Sequence, residues 1–80
     1  MAVEFDYSKL RGRIREVYKT ETKFADALGI SPTTLSSKLN NKVGFSNDEM
    51  LNICTLLNIP LSDTSNYFFA NVAKKNLANN

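Results

Sequence analysis

The sequence has 80 residues, enough for one domain that buries about 60–65% of the surface of its unfolded chain. Its 42% hydrophobic and 22% charged residues indicate an ordinary globular protein, and no apolar run reaches the roughly 18 residues of a membrane span. We therefore expect neither a membrane span nor a secretion signal, and the single cysteine fits the reducing cytoplasm.

Side chains for metal binding or catalysis are scarce. The chain has no histidine and only Cys54, which removes the usual zinc sites and Cys–His or Ser–His catalysis. Asp48 and Glu49 are neighbours in sequence, and adjacent helical residues do not converge on one substrate. We expect a protein that is not an enzyme and binds no cofactor, and we interpret Cys54 as a small buried hydrophobe.

Charge is distributed unevenly along the chain. Residues 1–45 carry eight Lys and Arg against five acids, whereas residues 46–80 carry two Lys against three acids. The first half therefore has a net charge of +3 and the second half −1. An excess of positive charge in the first half is what a phosphate-facing surface requires.

The pattern predicts an N-terminal arm over residues 1–6, a helical domain over 7–70 and a tail over 71–80. The first helix starts at an Asp6 N-cap and ends near residues 18–19. Its buried stripe consists of apolar residues at helical spacing: Tyr7, Leu10, Ile14 and Val17. Phe5 is placed to pin the arm to the core. Gly12 lies mid-helix and costs about 0.5–1 kcal/mol relative to Ala.

Residues 20–42 predict two short helices joined by a tight turn. Thr20 caps the first helix, which spans about Glu21 to Leu28, and Gly29 suits a left-handed helix end. Ser31 caps the second helix, which starts at Pro32 and ends near residue 40. Its inner face consists of two leucines, Leu35 and Leu39. A polar residue followed by Ala, Gly and an aliphatic at offsets of four, eight and fourteen is the helix-turn-helix pattern. An ordinary helical hairpin with a glycine stop is the alternative.

The outward face of this third helix is small and polar. It consists of Thr33, Ser37 and Asn41, with Thr34 and Asn40 beside them. Such a face suits a DNA major groove, because Thr offers a methyl group to thymine and Asn pairs with adenine. A plain solvent-exposed face is the alternative. Lys38 lies near the core edge, and we expect its ammonium to reach outward to a phosphate.

The clearest local signal is the capping box Ser46-Asn47-Asp48-Glu49, which starts a fourth helix. Phe45 and Met50 are spaced as a hydrophobic staple around this cap. The core stripe of the helix is Met50, Ile53, Cys54 and Leu57, and Asn58 ends it. The backbone N–H groups near Asn47 are a candidate phosphate site.

Residues 61–69 predict a short fifth helix capped by Ser62. Tyr67, Phe68 and Phe69 form the densest aromatic cluster of the chain. In a domain this small they are expected to complete the core. The alternative is that one or two of them, with Val72, form a dimer interface. Lys74 and Lys75 in the tail are expected in solvent.

Five helices with this pattern resemble the Cro/CI-type (XRE-like) DNA-binding domains of phage repressors. The resemblance rests on FDYSKLRGRI, KFADALGISPTTLSSKLNNKVGFSNDEM, LLNIPL and YFF, and is especially close to small Cro-like repressors of phages of Gram-positive bacteria. It implies an all-α, compact five-helix lambda-repressor-like domain. It also implies a homodimer that binds a palindromic double-stranded DNA operator.

The resemblance also implies roles for single residues. Thr33, Thr34 and Ser37 match positions that read bases, and Lys23, Asn40 and Lys42 match positions near the sugar–phosphate backbone. Glu21 departs from the family, which usually has a phosphate-binding Gln there. The neighbours that would substitute for it are Thr20, Thr22 and Lys23. Lys38 departs as well, since an aliphatic residue is usual at that position.

Two hypotheses of function follow. The first is a sequence-specific DNA-binding transcriptional regulator, a phage Cro-like repressor that acts in the host cytoplasm. The second is an antirepressor or protein-interaction module that binds another repressor's DNA-binding domain. The carboxylate of Glu21, the mild charge and the aromatic residues 67–69 favour the second.

Overall fold

Five α-helices and one 3₁₀ turn make up the regular structure of residues 4–70, the part of the chain that the computed structural model describes. The α-helices are α1 (Ser8–Tyr18), α2 (Glu21–Leu28), α3 (Pro32–Leu39), α4 (Asn47–Leu57) and α5 (Thr64–Phe68). The prediction of an all-helical domain is therefore confirmed over this range. Within it, no helix is both long and apolar enough to cross a lipid bilayer.

The ends of α2 and α3 follow the local sequence signals. Thr20 Oγ1 accepts the N–H of Lys23 at 3.1 Å, and Gly29 ends α2 with a φ of 82°. Ser31 Oγ accepts the N–H of Thr34 at 3.1 Å, with Pro32 at the first helical position. Glycine alone adopts the φ of 82° at residue 29 without steric cost, which explains why α2 ends at Gly29.

The start of α4 is the predicted capping box. Ser46 Oγ accepts the N–H of Glu49 at 3.1 Å, and a Glu49 carboxylate oxygen accepts the N–H of Ser46 at 2.8 Å. The helix ends at Asn58, which has a φ of 55°. Cys54 is buried as predicted, and burial raises the pKa of its thiol.

The core lies where α1, α2, α3, α4 and α5 meet. Its fully buried large side chains are Leu10, Ile14, Phe24, Leu35, Ile53, Leu57 and Phe68. Phe45 stacks edge-on against Phe68 at 5.5 Å and against Tyr7 at 5.4 Å, which joins the loop before α4 to α1 and α5. The loop between α3 and α4 is thereby anchored to the core.

Two expectations for α1 are wrong. Its N-cap position is Tyr7, although Asp6 still accepts the N–H and the hydroxyl of Ser8. Val17 is 40% exposed, because Tyr18 takes the place next to α2 and packs its ring 5.1 Å from Phe24. Residues 17 and 18 both follow Ile14 at helical spacing, so only the packing of α2 could choose between them.

The fifth helix, Thr64–Phe68, is shorter than predicted, and a 3₁₀ turn precedes it. Leu61–Asp63 forms a 3₁₀ turn in which the N–H of Asp63 bonds to Pro60 O at 2.8 Å, and Ser62 does not cap the helix that follows. Phe68 completes the core, whereas Phe69 is half exposed. The dimer alternative involving Val72, and the tail lysines 74 and 75, lie outside the described residues.

Candidate recognition surface

The outward face of α3 is open along its length. Leu35 and Leu39 are buried on the opposite side, while Thr33 and Ser36 are exposed and Ser37 is half-buried. These hydroxyl residues line a shallow groove together with Pro32, Asn40 and Lys42. We call this surface the α3 groove. It is polar, carries one lysine, and is accessible to a large partner.

Thr34 and Asn40 lie at the two ends of α3. Thr34 Oγ1 is 2.9 Å from Ser31 Oγ, so its hydroxyl is engaged in the helix cap. Asn40 follows the last helical residue, and its amide donates to Ser36 Oγ at 3.2 Å. Both side chains are exposed but already partnered within the chain.

Asn41 is not on the outward face of α3, which corrects the prediction. The helix ends at Leu39, and Asn41 turns the chain with a φ of 64°. Its amide oxygen accepts the N–H of Phe5 at 2.9 Å, and its amide nitrogen donates to Phe5 O at 2.9 Å. Asn41 therefore holds the N-terminal segment against the domain, and Phe5 is pinned as predicted.

Lys38 does not extend outward, which is a second correction. Its side chain is buried, and its ammonium lies 3.0 Å from Glu49 and 3.0 Å from Gly44 O. Burial raises the pKa of Glu49, but the bonds from Ser46 and Lys38 outweigh burial and hold that pKa below its ordinary value. Because Glu49 stands within reach of α3, the lysine pairs inside the fold instead of reaching solvent.

Arg11 connects the first three helices, a role that its sequence position does not reveal. One guanidinium nitrogen lies 2.6 Å from a Glu21 carboxylate oxygen, and another donates to Asn40 Oδ1 at 3.0 Å. Glu21 is thereby neutralised at the first residue of α2. No signal near Arg11 indicates this contact, because its partners lie 10 and 29 residues further along.

The remaining predicted phosphate contacts fall on different surfaces. Lys42 lines the α3 groove, and Lys23 and Thr22 are exposed in the first turn of α2, which Thr20 caps. Within residues 4–70, neither lysine forms an ion pair. Asn47 instead lines an apolar depression formed by α4, the 3₁₀ turn at Leu61 and the segment around α5. The structure therefore brings Thr33, Ser37 and Lys42 together and separates Asn47 from them.

Comparisons with known proteins give three findings. The solution structure of the modulator of repression (MOR) of the temperate bacteriophage TP901-1 from Lactococcus lactis matches this chain with a TM-score of 0.74. The two sequences are 43% identical over 81% of this chain and 88% of that one. The comparison with curated proteins finds no match. The family described as "Protein of unknown function (DUF739)" matches residues 2–71, and this chain belongs to that family.

Proposed function

We propose that this chain regulates a phage repression switch by binding the repressor protein of that switch. Its similarity to a phage modulator of repression supports a role in controlling repression. The second of our two sequence hypotheses, an antirepressor, is thus the one we favour. The proposed role is non-enzymatic and belongs to the host cytoplasm, where repressor and operator meet.

The observation that carries this proposal is that several polar side chains suited to contact DNA are bonded to other residues of the chain. The ammonium of Lys38 pairs with Glu49, and both amide atoms of Asn41 are bonded to Phe5. Arg11 is held by Glu21 at the start of α2. DNA affinity depends strongly on the number of phosphates that cations neutralise, and these pairings reduce that number.

Operator DNA is the second candidate partner, because the α3 groove is open and rich in hydroxyl groups. In this alternative, α2 and α3 form a Cro/CI-type helix-turn-helix in a lambda-repressor-like domain, and a homodimer places two α3 helices on a palindromic operator. Ser37→Ala would then change the base preference, whereas Lys42→Ala would weaken binding to all sequences about equally.

One titration separates the two candidates. Labelled DNA from the control region of the phage is saturated with the full-length repressor encoded there, and this chain is added while fluorescence anisotropy is recorded. We expect the repressor to leave the DNA, and light scattering to detect a complex of the chain and the repressor without DNA. Salt-sensitive, sequence-preferring binding of the chain alone to the DNA, with no protein complex, would overturn the proposal in favour of the second candidate.

A further inference from the structure

Exposed apolar side chains are concentrated on one face of the molecule. Val43, Leu51, Leu61 and Phe69 are 50 to 61% exposed, and they are four of the five large hydrophobic residues exposed within residues 4–70. Val43 lines a depression of about 240 Å³, Leu51 and Leu61 line a second one of about 440 Å³, and Phe69 lines both. The two depressions share Met50 and Phe69 as lining residues, so they adjoin. We call these four residues and their surroundings the apolar face.

The larger depression of the apolar face lies entirely within residues 46–70, the acidic part of the chain. Six of the nine residues that line the smaller depression instead belong to residues 1–45. Residues 46–70 contain Asp48, Glu49 and Asp63 and no Lys or Arg. Because Glu49 pairs with Lys38, the acids of residues 46–70 that form no ion pair with another described residue are Asp48 and Asp63, while Lys42 adjoins Val43 of the smaller depression. These two acids adjoin in sequence the lining residues Asn47 and Thr64.

This charge pattern selects among occupants of the apolar face. A second copy of the chain would bring two more copies of Asp48 and Asp63 to the interface, and residues 46–70 hold no Lys or Arg to balance them, which is unfavourable. DNA and anionic membranes carry the same sign of charge and would be repelled as well. A protein surface with apolar side chains flanked by Lys and Arg fits best, because its apolar side chains pack against the apolar face and its cations attract Asp48 and Asp63.

We propose that the apolar face is the surface that binds the repressor, through a surface of that protein on which apolar side chains are flanked by Lys and Arg. This inference rests on the proposed function, which names the repressor as partner. A repressor must carry a basic surface in order to bind DNA, so it offers the complementary charge. Binding there would place Asp48 and Asp63 against cations that otherwise contact phosphates, which links capture of the repressor to loss of DNA binding.

The test measures binding of full-length repressor to variants of this chain by surface plasmon resonance. Leu51→Ser and Leu61→Ser remove exposed apolar contacts, and we expect each to raise the Kd roughly tenfold. Val17→Ser is the matched control, because Val17 is exposed on α1 and lines neither depression. Asp48→Asn should slow association several-fold at low salt and little at high salt, while Asp26→Asn on α2 should not.

Each outcome decides one point. If the unmodified chain binds the repressor and the serine variants of the apolar face bind less tightly than Val17→Ser, the assignment holds. If all variants bind as the unmodified chain does, the surface is wrong and the proposed function stands. If the unmodified chain does not bind, the proposed function fails and this inference fails with it. A dimer in light scattering that Leu51→Ser disrupts would assign the apolar face to a second copy instead.

Discussion

The ammonium of Lys38 lies 3.0 Å from a carboxylate oxygen of Glu49, and this contact ties α3 to α4 at the edge of the core. The same oxygen accepts the N–H of Ser46, so one atom serves both the helix cap and the ion pair. Lys38 also donates to Gly44 O, within the loop that joins the two helices. Residues of this loop line both the α3 groove and the apolar face, so one ion pair helps to position both surfaces.

The losses of stability on removing Lys38 and on removing Glu49 should not be additive. Glu49→Gln leaves the buried ammonium of Lys38 without a counter-charge, and we expect the free energy of unfolding to fall by about 2–3 kcal/mol. This loss is smaller than for a fully enclosed pair, because the Glu49 side chain is a quarter exposed. The double variant Lys38→Met/Glu49→Gln should lose less than the sum of the single losses.

Urea denaturation of the unmodified chain, Lys38→Met, Glu49→Gln and the double variant measures the energetic coupling between Lys38 and Glu49. Glu16→Gln is the control, because Glu16 pairs with Arg13 at an exposed site on α1 and should change stability by less than about 0.5 kcal/mol. Additive losses in the double variant would show that the Lys38–Glu49 contact does not act as a pair.

Acid should weaken the same contact. The pKa of Glu49 lies below its ordinary value of 4.5, so the folded state binds this proton less readily than the unfolded state does. The stabilisation is therefore present above pH 4.5 and is lost as the pH falls through the folded pKa. The pKa of Asp6 is also lowered, by its bonds from Ser8, and acts in the same direction. Denaturation curves between about pH 6 and pH 3 should show declining stability, with a shallower decline in Glu49→Gln.

Two glycines should respond to alanine in opposite directions. Gly12 lies in the middle of α1, and a Cβ built there meets nothing within 4 Å, so Gly12→Ala should stabilise the protein by about 0.5–1 kcal/mol. Gly29 has a φ of 82°, so Gly29→Ala should destabilise it by about 1–2 kcal/mol. Thermal unfolding of both variants checks this. A lower melting temperature for Gly12→Ala would contradict the helix-propensity argument.

Neutralising Glu21 should improve contact with DNA. Glu21→Gln removes the acid at the start of α2 and weakens the hold on the guanidinium of Arg11, because the 2.6 Å ion pair becomes at most a hydrogen bond to a neutral amide oxygen. We expect affinity for any DNA duplex to rise several-fold. The slope of log K against log salt concentration should steepen by the amount expected for about one additional phosphate contact. Asp26→Asn makes the same charge change elsewhere on α2 and should raise affinity less. Equal gains would mean that net charge, and not the weaker hold on Arg11, is responsible.

Local signals in the sequence determined the helix ends and most of the core. The Thr20, Ser31 and Ser46 caps and the Gly29 stop act within four residues of themselves, and the leucines of α3 recur at helical spacing, so the residue pattern alone predicts them. Tertiary structure alone decided which polar groups remain available to a partner. Lys38, Asn41 and Arg11 find partners 11, 36 and 29 residues away, since buried or confined polar groups bond to whatever packing brings near them.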